Sequence, residues 1–488
     1  MFIKKKGLTF DDVLIVPEYS DILPCEVSIC TKLSNNINLN IPLISAPMDT
    51  VTDSKLAIEM AKEGGIGIIH KNMSIDKQVC EIHLVKNYKF GFINKRFSFK
   101  PEMKIFKAIE LINYSGLSIL PIVKDNRLIG ILNNLDLKFE NYINENLINI
   151  MTPLESLQNI NKQIEIERIK NLFKKKNKKH ILIVDNSNKF LGVTSINDLT
   201  NNNYYPLANK DKKNRLIVGA AIGVGKKEEE RIDKLVDASV DVLIIDTAHG
   251  YSNRVLKIIS WIKNNYPMVD VVGGNVATAD AAVALADAGA DAVKVGIGPG
   301  SICTTRIISG VGIPQITAIY DVSKALSDFK IPIIADGGIR SSGDISKSIV
   351  SGASSCMLGN IFAGTKESTG KIISFEGKNY KNYRGMGSLE AMKKGYSDRY
   401  IQELKTRKQK KISEGVDGII PYKGSINSII HQMIGGIKTS MGYCGCKNLK
   451  EMHSRAKLIE ITSSGLNESH VHNVKIKKHT PNYNFKKF

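Results

Sequence analysis

Cys303 sits in the stretch "KVGIGPGSICTTR" (294–306), behind Gly296, Gly298 and Gly300 and among Ser301, Thr304 and Thr305. Glycines let a backbone approach a ligand closely. A thiol in such a turn is exposed and near backbone N–H groups, which favour the thiolate. That combination predicts a nucleophile, with a buried structural cysteine as the plain alternative. Cys356, inside the apolar "SSCMLG" run, reads as structural, and "CGC" (444–446) is too tightly spaced for a metal pair and has no second pair beside it. Two further turns suit a phosphate. "IADGGIRSSGD" (334–344) offers Asp336, two glycines and a helix start, and "MLGNIFAGT" (357–365) repeats the arrangement. N–H groups at helix starts hold anions, and Asp336 suits ribose hydroxyls. "DTAHG" (246–250) adds Asp246 as a second acceptor of that kind and "GGNV" (273–276) adds Asn275, while His249 is either part of the site or a surface residue.

These residues need a scaffold that ends many strands at one place. Eight short apolar runs alternate with helix-period segments: 41–47, 64–70, 215–223, 241–250, 270–276, 291–300, 331–338 and 354–360. Buried parallel strands read as continuous apolar runs, and alternation with helices gives βα units. Eight units predict an α/β TIM (β/α)8 barrel, whose chemistry lies at the strand C-terminal ends and whose phosphate site follows strands 7 and 8. A doubly wound sheet is the alternative. The spacing breaks once, between His70 and Arg215, where "SILPIVKDNRLIGILNNLDL" (118–137) resembles "KHILIVDNSNKFLGVTSINDL" (179–199). Gly130 matches Gly192 and Asp136 matches Asp198 at one common offset. This internal repeat resembles a tandem pair of CBS domains, a Bateman module. The resemblance implies regulatory purine nucleotides as ligands, with the aspartates on ribose. Asn133 in the first copy faces Ser195 in the second, so the two sites need not be filled alike. The expected division is 1–88 for the first part of the barrel, 89–205 for the repeat (about 89–151 and 152–205) and 206–488 for the rest. After the last run, 376–388 and 396–425 are long and polar, as functional or disordered loops are, and 425–445 reads as a closing helix.

Composition removes several function classes. The 488 residues are 42% hydrophobic, enough for two to four domains, and no apolar run reaches the ~18 residues a membrane span needs. The first twenty residues lack the apolar segment of a secretory signal. Seven scattered cysteines suit a reducing cytoplasm rather than a disulfide framework. The net charge of +20 raises nucleic-acid binding. The lysines are spread along the chain and are not interleaved with aromatics, so the surplus reads as an AT-rich coding bias, and nucleic acid is not expected as the main partner.

Together the motifs resemble the inosine-5′-monophosphate (IMP) dehydrogenase family over nearly the whole chain: "LTFDDVLIVP" (8–17), "SAPMDTVTD" (45–53), the paired repeat, "GGNVAT", "GPGSICTTR", "ADGGIR", "YRGMGS", "SDRY", "EGVDG", "PYKG" and "ESHVH". The resemblance implies oxidation of IMP to xanthosine monophosphate (XMP) with NAD+ as acceptor. It implies Cys303 as the nucleophile on purine carbon 2, and Ser301, Asp336, Gly338, Gly359, Asn360, Tyr383, Gly385, Met386, Gly387 and Glu414 as IMP-binding residues. Asp246, Thr247, Asn275, Gly296 and Gly298 would face NAD+. Arg399 and Tyr400, on a mobile flap at about 389–424, would activate water, with Thr305 and Glu414 as the alternative relay. Carbonyls of Gly298, Gly300 and Cys303 would hold K+, completed by Glu468, Ser469 and His470 in the tail 465–488 of a neighbouring subunit. That implies a homotetramer, with pairing into octamers left open. The sequence departs from many relatives at Asn360 (Ser in the family), at Ile419 (Arg) and at Thr247–Ala248 (two serines). Guanosine-5′-monophosphate (GMP) reductases share a similar barrel and cysteine motif. The inserted repeat and "SDRY" speak for the dehydrogenase.

Overall fold

In the computed structural model all eight apolar runs contain strands. The structure describes residues 6–88, 93–94, 99–109, 119–125, 127–133, 144–153, 159–161, 180–184, 190–195, 205–225, 228–394, 412–474, 476–477 and 483. The strands are β1 (Leu43–Ser45), β2 (Ile66–Ile69), β3 (Gly219–Ile222), β4 (Val242–Ile245), β5 (Asp270–Val276), β6 (Ala292–Val295), β7 (Ile333–Asp336) and β8 (Ser355–Leu358). Each pairs in parallel with the next, and β8 returns to β1 with Leu358 opposite Ser45, so the barrel is closed. Closure leaves no strand edge unpaired. Side chains alternate along a strand. One face of each barrel strand therefore fills the interior, where Ile44, Ile66, Ile68, Ala221, Val242, Ile244, Val272, Ala292, Ile334 and Met357 form one apolar cluster. The other face packs against the surrounding helices.

Those helices are α1 (Ser54–Lys62), α2 (Ile75–Lys86), α3 (Glu228–Asp237), α4 (Asn253–Asn265), α5 (Ala279–Asp287), α6 (Gln315–Ala325), α7 (Ser342–Val350) and α8 (Ile426–Tyr443). Their starts are set locally. The Asp53 carboxylate accepts from Lys55 N at 2.9 Å, and Thr278, Ser341 and Ser425 accept from the first turns of α5, α7 and α8. Such caps satisfy N–H groups that have no partner inside the helix. α8 is the closing helix expected over 425–445. Among the described residues no helix is long and apolar enough to cross a membrane.

The chain divides into two units, residues 1–86 with 207–488, and residues 87–206. The smaller unit shows the repeat as two antiparallel hairpins, Ile119–Lys124 with Arg127–Asn133 and His180–Val184 with Phe190–Ser195. Gly130 stands opposite Ile122 and Gly192 opposite Ile183, and each hairpin shifts register immediately after that pair. The repetition extends to an irregularity of the backbone. Asp136 and Asp198 lie outside the described residues.

The excursion between β8 and α8 is not the loop its polarity suggested. β9 (Ile372–Phe375), β10 (Lys378–Arg384) and β11 (Asp417–Pro421) form an antiparallel sheet with β10 in the centre. The sheet is largely exposed, its apolar residues Ile372, Ile373, Phe375 and Ile419 included, so no buried face imposes the alternation that is the usual strand signal.

Candidate active site

The alternation that fills the barrel also builds the site. Val242 and Ile244 point inward on β4, so the next inward position belongs to Asp246. Ala292 leads to Lys294 on β6, and Ile334 leads to Asp336 on β7. These three form a charged layer above the apolar one. Lys294 is fully buried, and its ammonium lies 3.0 Å from Asp246 Oδ1 and 3.0 Å from Asp336 Oδ2. Its third partner is Asn275 Oδ1. The Asn275 amide in turn donates to Asp336 Oδ2 at 2.8 Å and to the Gly296 carbonyl at 2.8 Å. β5 shifts register between Gly274 and Val276, which places Asn275. Gly274 leaves the room for the lysine, since a Cβ there would lie 2.7 Å from Lys294 Cβ. A buried ammonium is tolerated when it is paired and hydrogen-bonded. Lys294 satisfies that condition and aims Asp336 into the barrel mouth.

The loop from β6 carries the thiol. Gly296 adopts φ +151 and a Cβ on it would lie 2.0 Å from the Asp336 carbonyl oxygen, so only glycine lets these two strand ends meet. The Cys303 amide donates to the Gly300 carbonyl at 3.0 Å, and Cys303 Sγ lies 3.2 Å from Thr305 Oγ1. Thr305 begins a short helix that runs to Ile308. Arg306 is the next residue. Burial pulls its guanidinium down from the usual value, and the neighbouring Cys303 opposes that. Its Nε donates to the Ile297 carbonyl at 3.1 Å and its Nη2 to the Ile313 carbonyl at 2.6 Å. Cys356 is fully buried on β8 and its thiol is pushed up to about 12, which leaves it inert.

Two distant segments complete the wall. The Thr304 amide donates to the Glu414 carbonyl at 2.9 Å, the Glu414 amide to Gly387 O at 3.0 Å and the Gly385 amide to Val416 O at 2.9 Å. The "YRGMGS" and "SEGVDG" segments are thereby stitched to the cysteine loop. The Asn360 amide donates to Ser301 Oγ at 3.0 Å. Tyr383 also hydrogen-bonds Ser301, and burial pushes its phenol up to about 12, so it stays protonated.

The result is one cavity of about 360 Å³. It brings together Cys303, Thr305 and Glu414 with Ser301, Asp336, Gly338, Gly359, Asn360, Tyr383, Gly385, Met386 and Gly387. Asp246, Thr247, Asn275, Gly296, Gly298 and Gly300 line the same cavity. Thr247 Oγ1 donates to the Gly274 carbonyl at 2.7 Å, so toward a ligand its hydroxyl offers lone pairs. Arg399 and Tyr400 lie outside the described residues. Glu468, Ser469 and His470 end an exposed helix, Ser463–Ser469, and do not line their own chain's cavity. Sequence reasoning missed Lys294 as a site residue, because the inward register that sets it apart is fixed only by the closed barrel. Thr9–Asp11, Ala46–Met48 and Arg340, which lie within the motifs "LTFDDVLIVP", "SAPMDTVTD" and "ADGGIR", also line the cavity, as does Gln315, although no site role was expected of them.

Residues 7–472 match the family described as IMP dehydrogenase / GMP reductase domain. An inosine-5′-monophosphate dehydrogenase of Aquifex aeolicus (strain VF5) is 49% identical over 484 residues, 98% of each chain. That of Escherichia coli (strain K12) is 47% identical over 482 residues, 99% of each chain. Among solved structures, a cysteine-to-alanine variant of GMP reductase from Trypanosoma brucei, in complex with guanosine 5′-monophosphate, superimposes with a TM-score of 0.81 at 36% identity. The match covers 97% of this chain and 99% of that one. Such coverage takes in the inserted unit, so the insertion, although it speaks for the dehydrogenase, does not by itself exclude a reductase.

Proposed function

The chain belongs to the IMP dehydrogenase / GMP reductase family, and on that footing we propose that it oxidises IMP to XMP with NAD+, through a covalent intermediate on Cys303, in guanine nucleotide synthesis. The observation that carries this reading is the Cys303 thiol, 3.2 Å from Thr305 Oγ1, in one cavity with Asp336 and two glycine-rich turns. The stronger identity to dehydrogenases (47–49%) than to the reductase structure (36%) favours oxidation.

Cys303 sulfur adds to carbon 2 of the hypoxanthine ring. When bound, NAD+ supplies the acceptor for the hydride that leaves that carbon. A thioimidate remains on Cys303. Water then adds to carbon 2, the C–S bond breaks and the thiol is restored, for a balance of IMP + NAD+ + H2O to XMP + NADH + H+. Splitting one hard step into two is the benefit of covalent catalysis. Asp336, braced by Lys294 and Asn275, accepts from the ribose hydroxyls. Asp246, Thr247 and Asn275 supply polar contacts to the dinucleotide. Water activation falls to Arg399 and Tyr400 or to a Thr305–Glu414 relay. An arginine base is the harder route because its pKa is above about 12. The flap that carries the pair gates water.

Carbonyl oxygens suit a hard monovalent cation. The carbonyls of Gly298, Gly300 and Cys303 fit K+ in kind, although Gly300 O already accepts from Cys303 N. Glu468, Ser469 and His470 would reach that site from a neighbouring subunit of a homotetramer or octamer. Purine nucleotides are the expected ligands of residues 89–205.

The test is absorbance at the NADH band after mixing protein, IMP, NAD+ and K+, with Cys303→Ala alongside. NADH is expected only with IMP and only from the parent, and NADH from Cys303→Ala would overturn the role of the thiol. A silent parent that consumes NADPH with GMP would be a reductase instead.

A further inference from the structure

The polar corner formed by Ser301, Asn360 and Tyr383 offers two hydroxyls and an amide, all neutral. Two cationic side chains line the cavity. Arg306 is engaged by the carbonyls of Ile297 and Ile313, and Arg340 by the carboxylates of Asp11 and Asp344. A phosphate dianion in this corner would need positive charge from elsewhere.

Lys423 stands behind it. The lysine lies just past β11, and its ammonium donates to the Ile361 carbonyl at 3.2 Å and the Asn360 carbonyl at 3.4 Å. The C=O and N–H of a trans peptide point in opposite directions. A cation on the Asn360 carbonyl therefore polarises the Ile361 N–H on the other side of that peptide plane. Lys423 makes no ion pair with a carboxylate among the described residues. Burial alone pushes its ammonium down to about 8, with no carboxylate opposing the shift. Lys381 is a useful contrast. It is buried on β10 and donates to the carbonyls of Thr365 at 2.8 Å and Ser368 at 2.6 Å. Burial pushes its ammonium down to about 8 as well, but there the carboxylates of Glu367 and Asp53 oppose the shift. Lys381 has the partners of a structural tie. A desolvated cation with no counter-ion is costly unless an anion shares its surroundings, and Lys423 touches the residue next to Gly359 at the cavity wall.

We propose that Lys423 is the counter-charge for the 5′-phosphate of the bound nucleotide, a positioning residue that acts through the Asn360 and Ile361 peptide groups. This rests on the reading that a nucleotide occupies the cavity. It assigns the excursion after β8 a second task besides carrying Tyr383 and Glu414: it delivers charge to the turn after β8.

The experiment compares parent, Lys423→Met, Lys423→Gln and Lys423→Arg by the dissociation constants of IMP and of inosine, the same nucleoside without its phosphate, and by steady-state KM and kcat. Loss of a charge-assisted contact predicts that Met and Gln weaken IMP about tenfold. Inosine binding and kcat should stay near the parent values, and Arg should restore most of the IMP affinity. Unchanged IMP affinity in the Gln variant would overturn the inference, as would equal weakening of IMP and inosine, the signature of a structural tie. Gln keeps a donor for the carbonyls, so it carries the comparison if the Met variant fails to fold. A parent that binds inosine and IMP equally would also overturn it. A parent that binds neither would instead sink the nucleotide reading.

Discussion

At Lys294 one ammonium serves two carboxylates that the proposed chemistry assigns to different substrates, Asp246 to the dinucleotide and Asp336 to the ribose of IMP. Removing one member of a buried charge cluster costs about 3–5 kcal/mol, because the remaining charges stay buried without compensation. Lys294→Met is therefore expected to lower the melting temperature and to reduce kcat/KM for IMP by about a hundredfold. Adding Asp246→Asn should recover part of the stability, since one uncompensated carboxylate is gone, but not the activity. Thermal melts and initial rates of the single and double variants check this, and full additivity of the two stability losses would argue against the shared cluster. Cys303 and Asp336 were legible in the sequence because each stands in a glycine-rich turn that has no purpose in an ordinary connection. Lys294 was not, because composition alone makes a lysine unremarkable in this chain. Only the inward register of β6, fixed by Ala292 and by closure of the barrel, separates it from the surface lysines.

Elements that are buried on both faces write themselves into the sequence. All eight barrel strands do so, and the end of β2 adds a titratable group to one of them. His70, the residue after β2, is buried, and its Nδ1 accepts from Asn72 N at 3.1 Å. An acceptor nitrogen cannot carry a proton without losing that bond. Burial pushes the imidazole down to about 4, against 6.5 when solvated, with the Asp49 carboxylate opposing. The unfolded chain thus binds the proton first, so the stability due to neutral His70 is complete above pH 6.5 and is lost as the pH falls toward 4. The shift corresponds to about 3 kcal/mol. His70→Asn keeps an acceptor for Asn72 N without a titrating group. Its urea midpoint should fall less than the parent's between pH 7 and pH 4.5, and parallel curves would exclude His70 as a source of acid lability. β9–β11 were illegible for the opposite reason: no buried face imposes an alternation on these exposed strands, and their placement depends on stitches such as Gly385 N to Val416 O.

On the scale of the molecule, the described residues that line the cavity belong to the larger unit. The repeat was legible because two copies of one hairpin announce themselves. Its ligand was expected only from the resemblance to CBS pairs, in which Asp136 and Asp198 would meet the ribose. The two ends of the larger unit are held together without the insertion. Lys86 pairs with Asp211 at 3.1 Å, Asn209 N donates to the Ala61 carbonyl at 2.8 Å, and Asn40 Nδ2 donates to the Leu207 carbonyl at 2.7 Å. Replacing 87–206 by a short glycine-rich linker closes a loop whose ends are already fixed, and loop length enters stability only logarithmically. The shortened protein is expected to melt cooperatively and to form NADH from IMP with a KM near the parent's and a kcat within a few-fold of it. Any response of the parent rate to added adenine or guanine nucleotides should vanish, since the repeat that would bind them is gone. A shortened protein that melts normally but is inactive would mean that the repeat shapes the site. One that keeps a nucleotide response would place the regulatory site on the barrel.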